Sequence, residues 1–195
     1  MQVPTEQTYS VVDRNVIISG YKAAADPKLI KRYNIKRVVS ILRDRGGDLA
    51  KHPGVIHVNF PVDDSPRYNE GMKKAALGAI KIIQEGIRRG EVVLVHCHAG
   101  ISRSATVVLL HLMINRQMTL KEAFKHLRSV RPQVDPKFTA MLRATDASLQ
   151  RLRQKQREES AGRVPWWGGG EGAGERTEKV EPVSIPETSE WQFDG

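Results

Sequence analysis

The sequence predicts one α/β layered domain, and three observations predict it. Strand-like and helix-like patterns alternate along residues 8–155. The segment EVVLVHC, residues 91–97, is a near-continuous apolar run, the mark of a strand covered on both faces. Apolar residues at helical spacing lie between and after the strands, so each strand face has a helix to pack against. A chain of 195 residues suits one domain with a tail and can bury a real core.

The elements follow in order. Residues 11–18 and 37–42 (RVVSIL) read as strands, as do residues 55–62 (VIHVNFPV). Between them a short helix over 27–33 starts at Asp26, a natural cap. Met72, Ala75, Ala76, Ala79, Ile80, Ile83 and Ile87 recur at helical spacing and predict a helix over 69–89, ended by Gly90. The apolar strand 91–97 comes next. Helices are expected over 104–116, 120–130 and 137–153, and Thr119 with Glu122 forms a capping-box pattern for the second of these.

Charge divides the chain. Lys and Arg number 31 and Asp and Glu 22, for a net of +9. Residues 156–195 hold four basic and nine acidic residues, a net of −5, which leaves +14 on residues 1–155. The reading is a flexible N-terminus over 1–7, a catalytic domain over 8–155 and an acidic flexible tail over 156–195. The tail is rich in Gly, Glu, Pro, Ser and Thr and buries too little apolar surface to offset its ordering entropy. Yet it carries all three tryptophans, Trp166, Trp167 and Trp191. They serve either to dock the tail on its own domain or to engage a partner. The same acidic tail could also cover a basic pocket and compete with substrate. No stretch approaches the roughly 20 apolar residues of a membrane span. The start MQVPTEQTYS lacks a basic segment followed by an apolar one, and neither Gln2 nor the C-terminus offers a lipidation site. Cys97 is the sole cysteine, so no internal disulfide can form. An intracellular protein, cytoplasmic and/or nuclear, is expected.

The chemistry sits in VLVHCHAGISRSATVVLL, residues 93–110, which runs from buried strand through a loop into an apolar helix. Unsatisfied N–H groups and the helix dipole make such a junction an anion site. Ala99 and Gly100 are small enough for the backbone to curl around an anion. Arg103 can fork two N–H donors onto phosphate oxygens. His98, Ala99, Gly100, Ile101 and Ser102 complete the cradle. A cysteine at its base, Cys97, gains a stabilised thiolate, because such settings lower a thiol pKa from near 8.5 to about 3.5–7.5. That thiolate can attack phosphorus directly, and no cofactor or metal is needed. His96, at the strand end, is expected to hold the loop by hydrogen bonding. Ser104 has two compatible roles: to cap the helix, or to assist the thiolate with its hydroxyl.

VHCHAGISRSA, residues 95–105, closely resembles the signature of dual-specificity protein phosphatases, within the protein tyrosine phosphatase superfamily. The resemblance covers about residues 8–150 and points to the small atypical members. It implies a central mixed sheet flanked by helices, and hydrolysis of phosphotyrosine and phosphoserine/threonine in proteins. It implies that Cys97 forms a phosphocysteine, that Arg103 binds phosphate and that Ser104 assists hydrolysis. It also implies a general acid on a loop upstream of the cysteine. That region reads FPVDDSPRYNE, where Asp63 and Asp64 both qualify and the family pattern favours Asp64. One departure stands out. Lys137, in Asp135-Pro136-Lys137-Phe138, occupies the place of a usual asparagine that helps fix the loop, so a less firmly held loop is expected.

Two other functions fit parts of the pattern. A phosphatase for non-protein phosphates, such as phosphoinositides, phosphoglucans or RNA 5′ ends, suits the +14 domain. However, lipid-directed relatives often carry lysines in the loop, and this loop has none. RNA-directed relatives carry other residues where Ala99 and Ser102 stand, so a nucleic-acid partner is not expected. A non-catalytic phospho-binding adaptor would usually have lost the nucleophile or the acid. Here Cys97, Arg103 and an aspartate are all kept.

Overall fold

The structure is a computed structural model and describes residues 9–43 and 51–161. The expected N-terminal segment and nearly all of the acidic tail, with its three tryptophans, lie outside the described residues.

Strands β1 (Tyr9–Val11), β2 (Val16–Ser19), β3 (Ile35–Ser40), β4 (Ile56–Asn59) and β5 (Val92–His96) form one sheet in the order β1-β2-β5-β3-β4. β2, β5, β3 and β4 run parallel, and β1 pairs antiparallel with β2, so the sheet is mixed. The apolar run lies at its centre, with Val93, Leu94 and Val95 fully buried. Its side chains alternate between the two faces. Leu94 packs with Ile17, Val38 and the short helices α1 (Tyr21–Ala24) and α2 (Pro27–Arg32). Val93 and Val95 join the larger core made with α3 (Asn69–Arg88), α4 (Arg103–Asn115), α5 (Leu120–Val130) and α6 (Thr139–Ala161). Helices therefore cover both faces of the sheet.

The expected caps form. Asp26 Oδ1 accepts from the Lys28 amide at 2.8 Å, and Thr119 and Glu122 make the reciprocal capping box. Gly90 sits at φ +67°, the left-handed C-terminal position that favours glycine.

Several boundaries differ from expectation, each for a physical reason. The strand expected over 11–18 is a hairpin, β1 and β2. Asp13 breaks it by accepting from the Asn15 and Val16 amides at 2.8 and 2.9 Å, a side-chain turn that replaces strand pairing. β4 stops at Asn59 rather than Val62: the Phe60 and Val62 amides still donate to Ser40 O and Leu42 O, but the Leu42 amide turns to the Asn59 side chain, at 3.3 Å, instead of a strand carbonyl. The single turn α1 is too short to leave a periodic signal. Helix α6 starts at Thr139 and continues to Ala161, beyond the tail boundary placed at residue 156. Its last turns are exposed and polar, so composition cannot separate them from a tail. Among the described residues no helix is long and apolar enough to cross a membrane.

Candidate active site

β5 delivers His96 and Cys97 to the carboxyl end of the central strand, and α4 begins six residues later at Arg103. Between them the loop's carbonyls are held by donors from outside it. The Tyr21 amide donates to His98 O at 2.9 Å, and the Asp135 amide donates to Ile101 O at 3.0 Å. The buried Arg131 donates from Nη2 to Ala99 O at 3.1 Å and from Nε to Gly100 O at 2.7 Å. With four successive carbonyls fixed outward, the amides between them are free to converge on the cavity side. Gly100 makes the curl possible. It sits at φ +71°, and an added Cβ would fall 2.6 Å from the Ser19 backbone and 2.5 Å from Arg131.

The Cys97 sulfur receives what the loop offers. The Gly100 amide donates to Sγ at 3.3 Å, and Ser104 Oγ lies 3.2 Å away. Burial alone would push this thiol up. The Ser104 hydroxyl, the Ser104 and Gly100 amides and the Arg103 charge outweigh burial and hold the pKa below its usual value. Ser104 is the second residue of α4, and its side chain points to the sulfur rather than capping the helix. The N-cap position belongs to Ser102, whose side chain caps nothing.

Arg103 reaches back to the acid loop, donating from Nη1 to Val62 O at 3.0 Å. Its Nε is buried and has no hydrogen-bond partner among the described residues. A buried guanidinium N–H without an acceptor is unfavourable, and a bound anion at this loop would supply one. His98 and Ala99 are exposed on the rim, and Ile101 is half-buried. His96 is buried behind the loop. Its Nδ1 donates to Cys97 O at 3.3 Å, which leaves Nε2 to accept from Ser40 Oγ at 2.6 Å. Burial holds this imidazole down to about 4, so it is neutral and serves as an anchor.

The two aspartates part company. Asp63 pairs with the exposed Arg43, Nε to Oδ1 at 3.4 Å. Asp64 turns to the loop: Ser102 Oγ donates to its Oδ1 at 2.6 Å. Lys137 Nζ stands 3.2 Å from its Oδ2. Ser102 was expected to line the cradle, but its hydroxyl faces the acid loop and leaves only main chain to the cradle. The segment expected to be loosely held is tied, since the Lys137 amide donates to Ser102 Oγ at 3.1 Å.

Sequence reasoning passed over Arg131 and Tyr21 as loop anchors. The dipeptide Arg131-Pro132 marks a helix end, but nothing local says that its guanidinium reaches back some thirty residues to two carbonyls. The contact of Tyr21 is through its amide, which carries no side-chain signature at all.

A thiol at the end of a central parallel strand, held by the Gly100 and Ser104 amides and with an arginine at the start of the following helix, defines a cysteine-dependent phosphatase site. Residues 16–147 match the family model described as "Dual specificity phosphatase, catalytic domain". The chain belongs to that family. It is 34% identical over 136 residues to the Drosophila melanogaster dual specificity protein phosphatase Mpk3, covering 70% of this chain and 33% of that protein. Dual specificity phosphatase 28 of Mus musculus is 32% identical over 137 residues, covering 69% of this chain and 82% of the relative. The crystal structure of human DUSP28 superposes with a TM-score of 0.65 at 25% identity, covering 76% of this chain and 99% of that one. The chain thus spans a third of the Drosophila protein and most of the smaller relatives.

Proposed function

We propose that the protein hydrolyses phosphotyrosine and phosphoserine/threonine in protein substrates through a phosphocysteine intermediate. The observation that carries this reading is the sulfur of Cys97 within hydrogen-bond reach of the Ser104 hydroxyl and the Gly100 amide, at the base of a loop that also holds Arg103.

In the first step the Cys97 thiolate attacks phosphorus, an S–P bond forms and the P–O bond to the leaving oxygen breaks. Asp64, in its acid form, gives that oxygen its proton. Loop amides and Arg103 meet the charge on the equatorial oxygens, where they already stand. In the second step water attacks phosphorus, Asp64 takes the water proton and the S–P bond breaks. The Ser104 hydroxyl donates to the departing sulfur and eases its release as thiolate. His96 moves no proton in this scheme and holds the strand end.

Membership of the dual specificity family supports a phosphoprotein substrate, as does a loop without lysine. A thiolate kept reactive in this way suits a reducing compartment, and we place the protein inside the cell, in cytoplasm and/or nucleus. The test is Cys97→Ser. It should lose all turnover of p-nitrophenyl phosphate yet keep binding a phosphopeptide, because the amide ring survives. Turnover at the wild-type rate would end the mechanism. Rates on phosphotyrosine, phosphothreonine and soluble phosphoinositide substrates, compared side by side, decide the substrate class. Faster turnover of the lipid would overturn the protein assignment.

A further inference from the structure

The Lys137 side chain is not idle. Nζ lies 3.2 Å from Asp64 Oδ2 and donates to the Asp64 carbonyl at 3.3 Å. The same residue's amide donates to Ser102 Oγ at 3.1 Å. Ser102 in turn donates to Asp64 Oδ1 at 2.6 Å. These contacts close a ring through three separate segments: the acid loop, the anion loop and the connection from α5 to α6. Both carboxylate oxygens of Asp64 are held, one by each partner. The two partners differ in kind. Ser102 is buried and belongs to the anion loop, whereas the Lys137 side chain is 51% exposed and reaches Asp64 from outside that loop.

We infer that Lys137 is a positioning residue that clamps Asp64 against the anion loop, so that the acid is aligned before substrate binds. This rests on the proposed role of Asp64 as proton donor. The clamp follows from geometry. With Ser102 alone, the carboxyl can rotate about one hydrogen bond. The second contact, at Oδ2, removes that rotation, and the contact to the Asp64 main chain holds the loop itself. Arg103 also binds this loop, by donating to the main-chain oxygen Val62 O. Orientation of the Asp64 side chain therefore depends on Ser102 and Lys137.

An aligned acid matters most where the leaving oxygen is basic and needs its proton early. The experiment compares phenyl phosphate with p-nitrophenyl phosphate across wild type, Lys137→Met, Lys137→Arg, Asp64→Asn and the Asp64→Asn/Lys137→Met double variant. Lys137→Met should lower kcat on phenyl phosphate by about tenfold and on p-nitrophenyl phosphate by less than about twofold, with KM for both nearly unchanged. Lys137→Arg should recover most of the loss. In the Asp64→Asn background, adding Lys137→Met should change kcat by less than about 1.5-fold, since the effect runs through Asp64. An equal loss of kcat/KM on both esters, a raised KM alone, or an undiminished loss in the Asp64→Asn background overturns the clamp while leaving Asp64 as the acid. If Asp64→Asn lowers kcat/KM, which reports the step that expels the leaving oxygen, on both esters alike, the acid assignment falls and the clamp falls with it.

Discussion

The anion loop and the acid loop face each other across the site and are held by different means. Loop 97–103 is fixed by its own main chain, with successive carbonyls bonded to Tyr21, Arg131 and Asp135. Its principal anchor, Arg131, is 2% exposed. The acid loop is held at the Asp64 carboxyl as well as at its main chain, and its outermost partner, Lys137, is half in water. Buried main-chain bonds resist breaking because a freed carbonyl has no water to turn to. A half-exposed ion pair is weaker than a buried one, yet it can still set the orientation of a carboxyl that Ser102 already holds. The difference suits the chemistry. The cradle must be ready for every phosphate, whereas the acid must release a proton to one oxygen and recover it from another.

The largest effect should come from removing the anion loop's anchor. Arg131→Met leaves the buried Gly100 carbonyl unpaired, frees that of Ala99 and lets the loop relax. A stability loss of about 2–3 kcal/mol is expected by urea denaturation. Turnover should fall by about a hundredfold, as preorganised donors move off their positions. Retained activity with lost stability would show that the loop keeps its shape without this residue, and would break the contrast drawn above.

A smaller effect, and a pH-dependent one, is expected at the back of the same loop. The His96 pKa is held down to about 4 by burial, against an ordinary value near 6.5. The native state therefore refuses a proton that the unfolded chain accepts. Stability from this residue is full above about pH 6.5 and falls as pH drops toward 4. At one pKa unit for each 1.36 kcal/mol, the loss approaches about 3 kcal/mol at the bottom of that window. His96→Asn should narrow the gap between urea midpoints at pH 7 and pH 5. An unchanged gap would place the acid sensitivity elsewhere.

The sequence made the strand, loop and α4 legible because their chemistry is local: Cys97, Arg103 and Ser104 lie within eight consecutive residues of one apolar strand and helix. The rest was hidden for a physical reason that recurs. Tyr21 and Asp135 act through amides, which every residue has. Arg131 and Lys137 act across long sequence separations. Asp13 read as part of a strand, yet it ends β1. It also accepts from His111 Nε2 and Arg116 Nε, both at 2.8 Å, from the far end of α4. Burial would raise that carboxyl, and these donors outweigh it and hold it well below the usual range. The place of Asp64 was legible only through the family pattern, since Asp63 and Asp64 are alike to any local rule.

That pair gives the smallest expected effect and the sharpest check on the acid loop. Among the described residues Asp63 pairs with Arg43 at 3.4 Å, and Arg43 is three-quarters exposed, so water screens the contact on most sides. Arg43→Ala should change stability by less than about 0.5 kcal/mol. Asp63→Asn should leave the ratio of rates on phenyl and p-nitrophenyl phosphate where it is, because its carboxyl pairs with Arg43, whereas Ser102 of the anion loop pairs with Asp64. Asp64→Asn should move that ratio strongly, through loss of the proton itself. A ratio that moved with Asp63→Asn and held with Asp64→Asn would exchange the two residues' roles. The ring of contacts through Ser102 and Lys137 would then be a structural tie with no part in proton transfer.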